Sequence, residues 1–407
     1  MNRVVAPRVA AIAAAAALVA AACSGPILAN PPLTFPSPPI ASAAPSGAPD
    51  PIAISFPRDD GPHHRLTEWW YYTGHLHTQE GRHFGFEAVV FRAERGSVPA
   101  SWAAHLALTV EPDQGLAGAS FHYAQRSEIG PQVDHSPRDA GGAPSGFDLQ
   151  VGGLSPSLIA AGAPPTAAPW RLAGSGGVDH IEAALSPEEA AAAGASFGLH
   201  LDLDSTKPPA LHDGDGFVDF GSAGSSYYYS RTRLNATGTL TLDGEQLSVD
   251  GIAWFDHQWG DFVSVGAGGW DWFAVNLDDG TDLTISLVRD TDGAAVLKYG
   301  TIVNPDGVAT HLDDADFTVV ALGYWPSPRS GHTYVVGWFI TIPSGLPIGP
   351  AEIELEPTVF DQELDTRPTT GVAYWEGSQH VIVTRLEDKP VGNPSGDAYV
   401  EMTRYGQ

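Results

Sequence analysis

Residues 238–260 read GTLTLDGEQLSVDGIAWFDHQWG. Leu240, Leu242, Leu247 and Val249 recur at every second position on either side of Asp243-Gly244. Two alternating runs joined by a two-residue Asp-Gly loop are the signature of a tight antiparallel hairpin. The second arm ends in AWFDHQWG, where alternation places Ala253, Phe255, His257 and Trp259 on one face. Trp254, Asp256 and Gln258 fall on the other face, so Asp256 and His257 are not expected to form a simple hydrogen-bonded dyad.

The same texture runs outward in both directions. HFGFEAVVFRAE, AAHLALTVE, DLTISLVRDTDGAAVLKYGTIV, HTYVVGWFITIP and GDAYVEMTRY all read as short strands broken by turn residues. One segment, SPEEAAAAGASF, reads as a helix: Ser186 caps, Pro187 takes the first position, Glu189 closes a capping box and Gly194 stops it. The chain also repeats itself once. EWWYYTGHL from Glu68 parallels WDWFAVNL from Trp270, and each returns as an apolar strand ending in Arg92 or Arg289. DGEQLSVDGIAWFDHQWG pairs with EDKPVGNPSGDAYVEMTRYG, setting Trp254 on Tyr399 and Asp256 on Glu401. That last match hints that the acid is scaffold. A closed or sandwiched antiparallel sheet is the expected architecture of each half, because it removes exposed edges.

Composition narrows the classes. The 407 residues include 48 acidic and 20 basic side chains, a formal charge of −28. Such a charge repels phosphate backbones and no basic stripe interrupts it, so nucleic acid is not an expected partner. With 10% aromatic and 17% charged residues, 46 glycines and 34 prolines, the chain is a folded, turn-rich protein.

The first 22 residues read as a signal peptide: Arg3 and Arg8 precede an Ala/Val/Leu run too short to span a bilayer. Cys23, the single cysteine, follows three alanines like the cysteine of a bacterial lipobox. It is the expected lipidation point, with a plain signal-peptide cut as the alternative. Residues 23–50 are Pro/Ala-rich and read as a tether from that anchor. An exported protein is expected, either secreted or held at the cell envelope through a lipidated N-terminus. Residues 51–262 and 263–407 are the two expected β-domains.

FPRDDGPHHRLTEWWYYTGHL, AAHLALT, KPPALHDGDG with SYYYSRTRL, GIAWFDHQWG, WDWFAVNL and YWEG with GDAYVEMTRY span about residues 56 to 405. On these segments the chain resembles the carotenoid hydratase (hydroxyneurosporene synthase) and AttH-like family of secreted lipocalin-like proteins. TEWWYYTGHL together with AWFDHQWG carries most of the likeness. It implies an all-β protein of two lipocalin-like antiparallel barrel or sandwich domains in tandem, with the short helix inserted, and an apolar ligand. His257 and Trp259 sit where the hydratases carry a His-x-Trp pair. By that resemblance they are proton handler and cation stabiliser: an alkene is protonated, and the indole face attracts the carbocation that water then captures. The chain departs from the hydratases at DLTISLVRD, where Ser286 lies near the expected position of a tyrosine.

Glu68, bordered by four aromatics, is a candidate general acid, since desolvation raises a carboxyl pKa. The alternative is a structural carboxylate paired with an arginine such as Arg92. Glu376 in YWEG is a similar case. Asp256 completes the candidate catalytic set. Trp69, Trp70, Tyr72, His105, Tyr228, Trp254 and Trp272 are expected to line a pocket, or else to be core. His63-His64 and His75-x-His77 lack zinc spacing, and Asp213, Asp215 and Asp219 lack the bidentate Glu of a calcium loop, so no metal is expected. G-x-S-x-G occurs as Gly194-Ala195-Ser196-Phe197-Gly198, but it follows the helix and does not lead from a strand into one, so it is not a nucleophile elbow; no phosphate-cradling Gly motif occurs.

Two readings follow. In the first, an exported enzyme carries out hydration or isomerisation of a hydrophobic, isoprenoid-like substrate by acid–base chemistry without a cofactor. In the second, the protein is a non-catalytic lipid or pigment carrier. A hydrolase is a further alternative, although no nucleophile is evident.

Overall fold

The computed structural model describes residues 51–111, 118–152, 168–262, 268–386 and 396–404. The signal-peptide, Cys23 and tether expectations lie outside the described residues.

Nearly all regular structure is β, as the alternation requires. The first sheet opens with β1 (Thr67–His77), β2 (His83–Ala93), β3 (Ser101–Val110) and β4 (Ser120–Ile129). It continues with β5 (Phe147–Val151), β6 (Trp170–Ser175), β7 (Val178–Ala184) and β8 (Phe197–Ser205). Two short strands, β9 (Ala210–Leu211) and β10 (Phe217–Asp219), precede the long β11 (Ser225–Leu242) and β12 (Glu245–Gly260). Spatial order is β4-β3-β2-β1-β12-β11-β8-β7-β6-β5, with β9 and β10 both on β11.

The second sheet repeats this plan. Its strands are β13 (Gly269–Leu277), β14 (Asp282–Arg289), β15 (Ala295–Val303), β16 (Ala309–Leu312) and β17 (Thr318–Ala321). A small ribbon of β18 (Tyr324–Pro326) and β19 (Thr333–Val335) intervenes. Then come β20 (Trp338–Ile342), β21 (Ala351–Pro357), β22 (Glu363–Asp365), β23 (Ala373–Leu386) and β24 (Gly396–Arg404). The order β16-β15-β14-β13-β24-β23 mirrors β4-β3-β2-β1-β12-β11. Registers agree as well: Glu68 lies opposite Arg92 as Gly269 lies opposite Arg289, and Tyr71 opposite Asp256 as Trp272 opposite Glu401. These are two lipocalin-like antiparallel β units in tandem.

The decisive hairpin is present. Leu242 pairs with Glu245, and Asp243 and Gly244 both take positive φ (48° and 83°), the geometry of a type I′ turn. The one α-helix among the described residues, α1 (Pro187–Ala193), has the full Ser186/Glu189 capping box, and Gly194 closes it in the left-handed conformation. Glu189 also accepts two bonds from the buried Arg126 of β4, at 2.8 and 2.9 Å, which fixes the helix on the sheet.

Toward its end β12 stops alternating between exposed and buried: from Ala253 to Gly260 every residue is buried. One face packs into the first sheet's core with Trp70, Tyr72 and Phe147. The other face meets a separate aromatic cluster of Tyr71, Phe91, Trp254, Trp272 and Tyr399 between the sheets. Burying each such ring is worth roughly 1.5–3 kcal/mol. A buried polar clamp joins the halves beside it. Asp282 of β14 accepts from Lys207 (2.7 Å), Thr232 (2.8 Å) and Arg233 (2.7 Å) of the first half.

Candidate active site between the two sheets

The outward face of β12 lies against β13 and β24. Trp69 stacks on Trp270 with ring centroids 6.3 Å apart, while Tyr71 and Trp254 meet Trp272 edge-on at 5.2 and 6.1 Å. Trp69, Tyr71, Trp270 and Trp272 enclose a cleft of about 60 Å³, also lined by Tyr228, Asp256, Ser286, Tyr299 and Glu401. It has room for ordered water and one end of a ligand. A groove on the second sheet is wider, about 640 Å³, but the ionisable groups lining it, Glu111, Glu354, Glu356 and His380, include no pair enclosed by aromatics.

Asp256 is almost fully saturated with donors. Trp254 Nε1 donates to Oδ1 at 2.6 Å, Ser230 Oγ donates to the same oxygen, and Tyr228 donates to Oδ2. Trp272 Nε1 in turn donates to the Tyr228 hydroxyl at 3.0 Å. Burial pushes Asp256 up to about 6, and these hydrogen bonds limit the rise by favouring its carboxylate form. Glu401 is held differently. Thr403 Oγ1 (2.8 Å) and Trp270 Nε1 (3.1 Å) both donate to Oε1, leaving Oε2 for a proton. Burial raises Glu401 to about 7, those two donors pull it down, and the charge of Asp256 adds to the rise.

A Ser–His pair adjoins the site. His212 Nε2 lies 2.7 Å from Ser230 Oγ, and Nδ1 lies 3.0 Å from Thr301 Oγ1. Because Ser230 spends its single proton on Asp256, His212 must donate to the serine. The pair therefore runs the wrong way for an activated nucleophile.

The inward face of the same strand carries a second polar group. His257 is fully buried, and its Nε2 lies 3.0 Å from Glu68 Oε1 and its Nδ1 3.1 Å from the Asp59 carbonyl. His63 Nδ1 reaches the same Glu68 oxygen at 2.8 Å, and the His63 ring stacks flat on Trp259 at 4.0 Å. Arg92 lies 3.5 Å from the other Glu68 oxygen. Burial would raise Glu68, but the charge of His63 and hydrogen bonds from both histidines bring it down to about 2. Glu68 is thus placed as an ionised partner of two imidazoles. Trp259 and His63 line a cavity of about 280 Å³. His257 lines none of the three cavities described.

The expected site residues therefore divide. Trp69, Tyr228, Asp256 and Trp272 line the inter-sheet cleft, and Trp254 holds Asp256 from behind. Glu68, His257 and Trp259 gather on the other face of β12. Trp70 stacks on His257 at 4.6 Å, and Tyr72 donates to Asp179 at 2.8 Å; both are core side chains of the first sheet. His105 stands apart, between Tyr374 Oη (2.7 Å) and Thr369 Oγ1 (3.0 Å), and burial lowers it to about 3. Ser286 does lie at the cleft, and the tyrosine beside it there is its register partner Tyr299 on β15. Glu401, Trp270, Tyr71 and Tyr299 were not legible as site residues. Only the repeat, which sets Glu401 on Asp256, carried a signal for the acid.

A tandem lipocalin-like body with an acidic aromatic cleft between its halves defines the class. The chain belongs to the AttH-like family, whose model matches residues 48–405. An AttH-type protein of Nitrosomonas europaea is similar over 87% of this chain and 98% of its own, at 26% identity and a TM-score of 0.66. Kievitone hydratase from Nectria haematococca shares the fold over 86% of this chain and 93% of its own, at 16% identity and a TM-score of 0.60. Among curated proteins none matches.

Proposed function

We propose that the protein adds water to, or removes it from, a carbon–carbon double bond at the end of an apolar, isoprenoid-like ligand seated in the inter-sheet cleft. One observation carries the reading: two carboxyls from equivalent positions of the two halves line one aromatic cleft, one saturated with donors and the other with an oxygen free. Such unequal environments separate an acid from a base. Glu401 gives its proton to an alkene carbon, and the faces of Trp69, Trp270 and Trp272 stabilise the carbocation. Water adds to the cation and its released proton passes to Asp256. Exchange with solvent then returns a proton to Glu401 and frees Asp256. Kievitone hydratase, a hydratase by name, lends support at the level of fold.

The test is incubation with a panel of isoprenoid alkenes in water labelled with heavy oxygen. Wild type should place one labelled oxygen in the product. Asp256→Asn and Glu401→Gln should lose about 10²–10⁴-fold in turnover while binding ligand within a few-fold of wild type. A carrier would retain ligand in all three proteins and label none of it, which would sink the proposal.

A further inference from the structure

The group on the inward face of β12 presents a donor–acceptor problem. The Asp59 backbone carbonyl, 3.1 Å from His257 Nδ1, can only accept, so Nδ1 carries a hydrogen. The Asp59 carboxylate, 3.3 Å from His63 Nε2, likewise asks for a hydrogen there. In a neutral imidazole each remaining nitrogen is then a bare lone pair. Both lone pairs face one carboxylate oxygen, Glu68 Oε1, at 2.8 and 3.0 Å. Three acceptors can converge in this way only around positive charge, which means two protons or one metal cation.

We propose that His63 Nδ1, Glu68 Oε1 and His257 Nε2 bind one divalent transition-metal cation of the zinc class. Two imidazoles and a carboxylate are a donor set that suits zinc and its neighbours. The three donor atoms lie within 4.8 Å of one another. Bonds of about 2.0–2.1 Å in a tetrahedron set ligand atoms roughly 3.3 Å apart, so the two histidine–Glu68 separations of 2.8 and 3.0 Å need open only by a few tenths of an ångström. The outer contacts are those that orient metal-bound histidines: the far nitrogen of each ring meets an acceptor, and Asp59 supplies both. The cavity of about 280 Å³ lined by Asp59, His63 and Trp259 reaches the group at His63 and offers an entry path there. Arg92 does not oppose the cation directly, because it approaches Glu68 Oε2 and is paired with Glu94. Such a metal would pin the segment around Asp59 and His63 to β1 and β12, independently of the inter-sheet cleft.

The test uses the full chain freed of metal by chelation and titrated with Zn²⁺ and Co²⁺ alone. A second possible cluster, His180, Glu182 and His200, is removed beforehand by His200→Ala. The expected result is one equivalent bound by calorimetry, the visible absorption of tetrahedral Co²⁺, and a rise in Tm that grows with free metal. His257→Ala and Glu68→Gln should abolish it. His63→Ala, outside the strands and therefore safer for folding, should weaken binding by at least 100-fold, and Asp59→Asn by 10–100-fold. Failure of the metal-free protein to take up either ion, or unchanged affinity in His63→Ala, would overturn the proposal in favour of two protonated imidazoles. Neither result bears on the cleft chemistry, which is read from the labelled-water assay.

Discussion

Glu401 is the residue whose proton matters. Burial holds it at about 7 against the pull of Thr403 and Trp270, so its acid form declines above neutrality. If that proton goes to substrate, kcat/KM should fall about tenfold per pH unit above about 7, because only the protonated fraction reacts. Glu401→Gln should be slow with no such limb, and pH–rate profiles of the two proteins make the comparison. A wild-type limb that persists unchanged in the variant assigns the titration to another group. Tyr71, Tyr228 and Tyr299 also line the cleft, but all are raised from their ordinary values and stay neutral through this range. At this scale the sequence separated Asp256 from His257 by alternation, and the structure has them on opposite faces. In the sequence, the match of Asp256 with Glu401 hints only that Asp256 is scaffold. Glu401 enters the chemistry through tertiary packing, which sets it beside Asp256 in the inter-sheet cleft.

At the scale of elements, α1 shows how a local signal acquires a distant partner. The capping box was legible because Ser, Pro and Glu sit at fixed offsets around one turn. The contact of Glu189 with Arg126 was not, since the two are 63 residues apart. Ser186→Ala, which removes the cap alone, should cost about 1 kcal/mol in urea unfolding. Glu189→Ala strips the box and leaves a buried guanidinium unpaired, so it should cost about 3–5 kcal/mol. Equal losses in the two variants would show that the ion pair contributes nothing beyond the cap. The long hairpin of β11 and β12 is the converse case: alternation and Asp243-Gly244 specify it with no help from elsewhere. The short strands β9, β10, β18, β19 and β22 carry too few residues for such a pattern and exist because a neighbouring strand pairs with them.

For the whole molecule, a second carboxyl pair joins the halves. Glu87 of β2 accepts from Tyr374 at 2.8 Å, and Glu376 of β23 accepts from Tyr71 at 2.6 Å. Each has one buried oxygen without a hydrogen-bond partner. Burial raises Glu87 to about 8 from its ordinary 4.5, and raises Glu376 well above its ordinary value. The native protein therefore holds protons that the unfolded chain releases. That contribution to stability is fully present below pH 4.5 and is lost as pH climbs to about 8. Glu87→Gln should bring the urea midpoint at pH 9 above that of wild type, while at pH 5 the two stay close. A midpoint lowered equally at both pH values would show that Glu87 is already ionised in the native protein.

The sequence by itself determined what depends on neighbours along the chain: the strand period, the Asp-Gly turn, the helix caps, the internal repeat and the division of AWFDHQWG into two faces. Tertiary structure decided what each face meets. His257 meets Glu68 and His63 because β1 pairs with β12, and Asp256 shares a cleft with Glu401 because β12 packs against β24's half of the molecule. The physical reason is range. Alternation fixes a side chain's direction within two residues, whereas desolvation, hydrogen bonding and charge act between atoms a few ångströms apart, however distant in sequence.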